Sequence, residues 1–169
     1  NDGKKYVNWF PPGSTSYHFY AYGLQNLILD RLKDRMNIIP QKVSISDIDS
    51  DYIMDCSGKP SNYDGFKMLD TIPVNSVYVT QCFWEKVEFQ YTLAIARPHG
   101  WVFGIPLANR CSIGYLYNNS VNTLEEIQED MKNVFAEYGL TPSTTTNTFS
   151  FNNYVRKKNY DGRVVYNGN

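Results

Sequence analysis

The sequence predicts an α+β fold: a mostly antiparallel, partly mixed sheet of five or more strands with two main helices, in a single domain over residues 1–169. Three observations predict it. Runs rich in β-branched and aromatic residues occur at 76–84, 88–96, 101–106 and 110–117, separated by turn formers. Two other stretches place apolar residues at helical spacing: Leu24, Leu27, Ile28 and Leu32, then Leu124, Ile127, Met131, Val134, Phe135 and Tyr138. A chain of 169 residues is long enough to bury one real core.

In chain order, Tyr6-Val7-Asn8-Trp9 reads as a short strand running into the Pro11-Pro12-Gly13 turn. Tyr17-His18-Phe19 leads into the first helix, which continues to about Met36 and is expected to lay its apolar face on something larger. Pro40 ends that segment, and Lys42-Val43-Ser44-Ile45 reads as a short strand. Asp47, Asp49 and Asp51 alternate as at the start of a calcium loop. Tyr52 stands where that loop needs Gly and Gly58 where it needs Glu, so a solvated acidic turn is the better account. Residues 52–56 read as a buried strand that closes in a tight turn at Ser57-Gly58, where the amides can approach a ligand. Residues 59–73 are loop-like. The runs 76–84 and 88–96 are predicted as strands, with Glu85-Lys86 between them as a hairpin turn.

Trp101, Phe103 and Ile105 alternate with Val102 and Gly104, so the three large side chains share a face. Pro106 ends that strand, Ala108-Asn109-Arg110 turns the chain, and residues 110–117 return, giving a four-strand meander. From pattern alone, Trp101 and Phe103 are core residues, shielded from water. The second helix is predicted over about 122–138. Asn122 or Thr123 caps it, Glu125 or Glu126 completes a capping box, and Gly139 stops it. Its stripe should lie on the sheet. Thr144-Thr145-Thr146 with Phe149 and Phe151 suggests a fifth long strand. Arg156-Lys157-Lys158 reads as a solvated basic patch and Arg163-Val164-Val165-Tyr166 as a final short strand.

Composition narrows the function classes. The net charge is −1 without long runs of one sign, which speaks against nucleic-acid and anionic-membrane partners. No apolar run reaches membrane-spanning length. Cys56, Cys82 and Cys111 are odd in number and widely spaced, which suggests a reducing, cytoplasmic setting with all three as small core residues. Two His and three scattered Cys make no zinc pattern, and the sequence has no Gly-x-Gly-x-x-Gly, Walker loop or Gly-x-Ser-x-Gly elbow. The 14 Tyr suit pockets, interfaces or half-buried sheets alike.

Several segments carry a family resemblance. Trp101-Val102-Phe103-Gly104-Ile105-Pro106 resembles the Trp-x-Trp-x-Ile-Pro signature of flavin-dependent, tryptophan-halogenase-like proteins, with Phe103 in place of the second Trp. Residues 110–117 are similar to the family's Arg-x-Gly-x-Gly-Tyr-x-Tyr run, with Ser112 for the first Gly. Asp55-Cys56-Ser57-Gly58 is similar to its Asp-Cys-Ser-Gly strand end. Tyr6-Val7-Asn8-Trp9 resembles the segment after the catalytic lysine. Tyr17-His18-Phe19 resembles an aromatic-His-Phe-Asp helix start, with Tyr20 for Asp. Residues 163–168 resemble the strand that returns to the flavin domain. The order agrees along nearly the whole chain.

The resemblance implies that 1–58 and 159–169 border a flavin domain and that 59–158 form the substrate-side sheet and its helix. It implies FAD as cofactor and a small aromatic molecule as substrate. In the family, reduced flavin and oxygen make hypohalous acid, and a lysine passes the halogen to the substrate. Trp101, Phe103, Ile105 and Pro106 are then candidates for the wall beside the flavin, Ser57 and Gly58 for flavin approach, and His18 for the substrate pocket. The nucleotide loop would precede Asn1 and the catalytic glutamate would follow Asn169. The lysine would fall near Asn1 without assignment to Lys4 or Lys5, so no catalytic residue is named. On this reading the chain is the middle of such an enzyme, holds FAD weakly, is inactive alone, and self-associates through surfaces left bare. The rival reading is a non-enzymatic module whose aromatic sheet face holds an apolar ligand or a partner chain. A glycine-rich loop upstream in the gene favours the first, and a Met start near Asn1 the second.

Overall fold

The computed structural model describes residues 15–167. In order, the elements are α1 (Ala21–Leu32), β1 (Ile53–Asp55), β2 (Phe66–Met68), β3 (Ser76–Phe83), β4 (Leu93–Arg97), β5 (Gly100–Pro106), β6 (Arg110–Tyr117), α2 (Leu124–Glu137), β7 (Thr141–Ser150), β8 (Tyr154–Arg156), β9 (Tyr160–Asp161) and β10 (Val164–Tyr166). Single 3-10 turns lie at Lys33–Arg35 and Ile45–Asp47. The expected α+β class is what is found: a five-stranded antiparallel sheet of order β4-β5-β6-β3-β7, with α2 packed across it. Two small sheets flank it, β2-β8 and β1-β10-β9, and the β1–β10 pair is parallel.

The helix lies where its sequence sends it. Thr123 caps it: its hydroxyl accepts from the Glu126 amide and the Glu126 carboxylate accepts from the Thr123 amide. At the other end Gly139 takes φ +61°, and the Leu140 amide reaches back to the Phe135 carbonyl at 2.9 Å. Between these stops, Ile127, Met131 and Val134 are fully buried against Val102, Cys111, Ile113 and Tyr115 of the sheet. Asp130 sits within that stripe. Its carboxylate accepts both Arg97 Nε–H, at 2.9 Å, and a second guanidinium N–H, and it also accepts the Tyr115 hydroxyl at 2.9 Å. These bonds hold the Asp130 carboxyl below its usual value and keep Arg97 protonated, while burial pushes the Tyr115 phenol up to about 12.

The observed meander departs from the expected one. β3 and β4 do not form a hairpin: the β5–β6 pair stands between them, and β3 pairs with β6 and β7. Residues 84–92 cross the end of that pair instead, with Trp84 Nε1 donating to the Leu107 carbonyl at 3.2 Å. Residues 88–92 are loop, not strand, because Phe89 turns inward against Trp84 and Tyr138, at ring distances of 5.2 and 6.0 Å. Residues 42–44 form no strand, and the chain makes the Ile45–Asp47 turn there. In the predicted buried strand 52–56 only Ile53 is buried, while Tyr52 and Met54 face outward. Cys82 and Cys111 are core residues as expected, lie opposite each other in register, and burial pushes their thiols up to about 12 and about 11. Cys56 is exposed, beyond the edge of the packed sheet. Helix α1 forms, but Leu24, Leu27 and Ile28 remain exposed, so among the described residues nothing covers its apolar face. The expected strand at 6–9, the Pro11-Pro12-Gly13 turn and Lys4 and Lys5 lie outside the described residues.

Candidate functional site

A sheet covered by one helix has one covered face, and the register decides which side chains go there. On β5, Val102, Gly104 and Pro106 point to the α2 side and are buried. Trp101, Phe103 and Ile105 therefore share the opposite, open face, as their alternation predicts. The expectation that Trp101 is shielded is wrong: it is 39% exposed, as is Ile105, because α2 covers the other face of β5. The β5 core contacts come from smaller residues, Val102 above all.

Phe103 is only half-buried, and its ring lies flat on the neighbouring strand. Its register partner is Gly114, and a Cβ there would come within 2.5 Å of the Phe103 ring. The glycine therefore lets the aromatic lie down on the sheet. Trp101 packs against Phe103 at 6.3 Å between ring centres, so the two make one aromatic surface.

Register extends this apolar row across the sheet, although its middle is closed, with Leu116 half-buried and Val77 only 5% exposed. Trp101 is opposite Leu116, Leu116 opposite Val77, and Val77 opposite Phe149. Strands are spaced about 4.8 Å apart, so the row from Trp101 to Phe149 spans roughly 14 Å. Phe149 also lines an open cavity of 1060 Å³, and Ser57 and Gly58 line the same cavity. The candidate residues thus form two groups at opposite ends of one apolar row, not one cluster.

At the cavity, Asp55 folds back on its own turn. Its carboxylate accepts the Ser57 amide at 3.0 Å, and the hydrogen bonds from Ser57 hold it below the usual carboxylate value. The Ser57 amide is therefore used inside the turn. Gly58 takes φ +83°, and nothing lies within 4 Å of where its Cβ would be, so its backbone is the open part of this turn.

His18 lies at the other end. A carbonyl only accepts, so Nδ1–H donates to the Pro106 carbonyl, at 3.1 Å, and Nε2 is hydrogen-bonded to the Thr92 hydroxyl at 2.9 Å. Arg110 lies over the Tyr20 ring at 5.6 Å. These contacts strap the segment before α1 onto the turn end of the β5–β6 hairpin. His18 thus joins the strand through Pro106, whose own ring belongs to the covered face.

Two features escaped the sequence reading. Asp130 falls three residues after Ile127 and four before Val134, inside the apolar stripe, and that placement is a legible sign of a buried polar partner. Arg156, which the sequence places in a solvated basic patch, is partly buried, with its guanidinium carbon 3.4 Å from the Tyr166 ring centre and 5.0 Å from that of Phe66. Nothing in its local sequence separates it from Lys157 and Lys158.

Among the described residues no group of His, Cys, Asp and Glu is arranged to hold a metal ion, and no helix is long and apolar enough to cross a membrane. The sequence model of the tryptophan halogenase family matches residues 33–169. Among solved structures, the chain is similar to a tryptophan 6-halogenase from Streptomyces toxytricini, at 20% identity and a TM-score of 0.63, over 88% of this chain and 36% of that one. It is similar to a tryptophan halogenase from Shewanella frigidimarina, at 16% and 0.62, over 86% and 34%. It is also similar to a flavin-dependent halogenase from Xanthomonas campestris, at 18% and 0.58, over 70% and 25%. At these identities the structural likeness shows the fold. The chain spans about a quarter to a third of the length of these structures. No curated protein matches it.

Proposed function

Because the chain belongs to the tryptophan halogenase family, we propose that it supplies the substrate-side sheet of a flavin-dependent halogenase acting on a small aromatic molecule. One observation carries the reading: the row of Trp101, Phe103 and Ile105 on the side of β5 away from α2, kept flat by Gly114, with Trp101 and Ile105 exposed. The residues fit a flavin ring. Trp101 and Ile105 offer exposed apolar surface for a planar system, and the Gly58 backbone, free of crowding, allows a close approach at the far end of the row.

When bound, the reduced flavin supplies, with oxygen and halide, the oxidised halogen. This chain's own part is to exclude water and to orient. Trp101 and Phe103 would wall one side of the ring, Ser57 and Gly58 would lie towards the far end of the row, and His18 holds the strand end through Pro106. No residue of the chain is assigned a covalent or proton-transfer role.

The chain has no glycine loop to meet a pyrophosphate, so its hold on FAD is weak and it does not halogenate alone. Titration with oxidised and reduced FAD, followed by absorbance and Trp fluorescence, tests this. Stoichiometric binding at micromolar concentration overturns it. The bare apolar face of α1 supports self-association of the isolated chain, and a clean monomer in sedimentation at high concentration would count against that.

A further inference from the structure

The last strand of the large sheet, β7, leaves one edge open: among the described residues the sheet order ends there, and Thr144 to Ser150 are exposed. The register says which backbone groups lie on that edge. The Leu107 amide donates to the Arg110 carbonyl at 2.7 Å, so these two form a hydrogen-bonded pair. Antiparallel ladders alternate such pairs with non-bonded ones. Counted from Leu107 and Arg110, Ile113, Tyr115 and Tyr117 turn their backbone towards β3, and Thr80, Tyr78 and Ser76 turn theirs back to β6. Val77 and Val79 then bond Phe149 and Asn147, and the Phe151 amide continues the series to the Asn75 carbonyl at 2.8 Å. Thr146, Thr148 and Ser150 are left with N–H and C=O facing outward. Before Thr146 the strand bulges: β7 steps from Thr146 to Pro142 while β3 steps from Thr80 to Cys82. The Thr145 amide and carbonyl are met there by the Ser143 and Thr80 hydroxyls, both at 3.1 Å.

Open edges are commonly blunted by charge or proline. Here no Asp, Glu, Lys or Arg falls between Glu137 and Arg156, and Pro142 stands beyond the bulge. The outward residues are also placed symmetrically about Thr148. We propose that this edge pairs with β7 of a second copy of the chain, antiparallel about a two-fold axis through Thr148, which joins two five-stranded sheets into one. Thr148 meets Thr148 of the second copy, and Thr146 meets its Ser150, so each outward amide finds a carbonyl and no like charges face each other. This match of the edge to itself selects a second copy over an unrelated strand. The pairing needs nothing from the proposed function.

Sedimentation velocity of the 169-residue chain tests it. An edge contact is smaller than a standard interface, so the series covers about 1–500 µM. The expected result is a reversible dimer and nothing larger, since a two-fold contact closes. Thr148→Pro removes an outward amide but no bond to β3. It should weaken the dimer about tenfold or more while melting close to the unaltered chain. Thr148→Lys sets two like charges opposite each other and should weaken the dimer similarly. Leu27→Glu, on the exposed face of α1, should leave it unchanged. If Thr148→Pro fails to fold, Thr148→Lys decides. A monomer throughout, growth past the dimer, or a dimer unmoved in the folded Thr148 variants overturns the proposal. Loss of the dimer in Leu27→Glu instead places the contact on α1, which overturns the edge pairing and leaves self-association through α1 standing. The strength of FAD binding bears on the proposed function alone.

Discussion

Asp130 is the residue whose loss should be felt most. Its side chain is 11% exposed and that of Arg97 17%, and Tyr115 is fully buried. Asp130→Ala removes three hydrogen bonds and leaves a guanidinium and a phenol without their acceptor. An unpaired buried hydroxyl costs about 1–3 kcal/mol and a broken buried ion pair about 3–5 kcal/mol. The two penalties share one cause and do not add, and Glu137, 3.9 Å from Arg97, relieves part of the second. The expected cost is about 3 kcal/mol, which for a chain of this size lowers the melting temperature by roughly 6–12 °C. The pH dependence is a second check. The Asp130 carboxyl is depressed in the folded state, so its contribution is fully present above the unfolded carboxylate value of about 3.9 and is lost as pH falls below that towards the folded value. Melting wild type and Asp130→Ala from pH 7 to pH 3 should show a gap that is widest at neutral pH and narrows in acid. A gap below 1–2 °C at pH 7, roughly half a kcal/mol, or one that stays constant into acid, refutes the reasoning.

Three further outcomes follow from the site. Trp101→Ala should cost only about 1–2 kcal/mol, not the 3–5 of a core aromatic, because the ring is already partly in water; thermal melts read this. Gly114→Ala pushes a Cβ into the Phe103 ring and should cost about 1–2 kcal/mol as the ring lifts off the sheet; adding Phe103→Ala should make the pair less than additive, and strict additivity in denaturant melts counts against the contact. The Tyr63 hydroxyl is buried without a hydrogen-bond partner among the described residues, so Tyr63→Phe should hold stability or raise it by up to about 1 kcal/mol in thermal melts, and a fall would reveal a partner.

What the sequence made legible is what local rules encode. Helix α2 could be bounded almost to the residue because Thr123, Glu126 and Gly139 each act on their own backbone neighbours. The β5–β6 hairpin was legible for the same reason, since strand, turn and strand are contiguous. Strand order was not, because nothing within 84–92 says that the chain must step across that hairpin before pairing. That step is fixed by Phe89 and Trp84, whose partners Tyr138 and Leu107 lie far along the chain. Arg156 was illegible likewise, because its partners Phe66 and Tyr166 belong to other strands.

The error over Trp101 has the most bearing on function. Alternation tells which residues share a face but not which face is covered, since a row of large apolar side chains suits a core and a binding wall equally. The covering element decides. Here the α2 stripe is bulky, with Ile127, Met131 and Val134, and the β5 face beneath it is small, with Val102 and Gly104. At Gly104 a Cβ would come within 2.9 Å of Leu93, so the covered face has no room for larger β5 side chains. Small residues at 102, 104 and 106 thus required the large ones at 101, 103 and 105 to face outward. That complementarity, small strand positions against a large helix stripe, was present in the sequence and could have turned the aromatic row from core to surface. The exposed row sits on a sheet whose other face is locked by the capped helix and the Asp130 bonds. The Asp130 melt and the Trp101 melt therefore test one argument from its two sides: a large loss from the covered face and a small one from the open face.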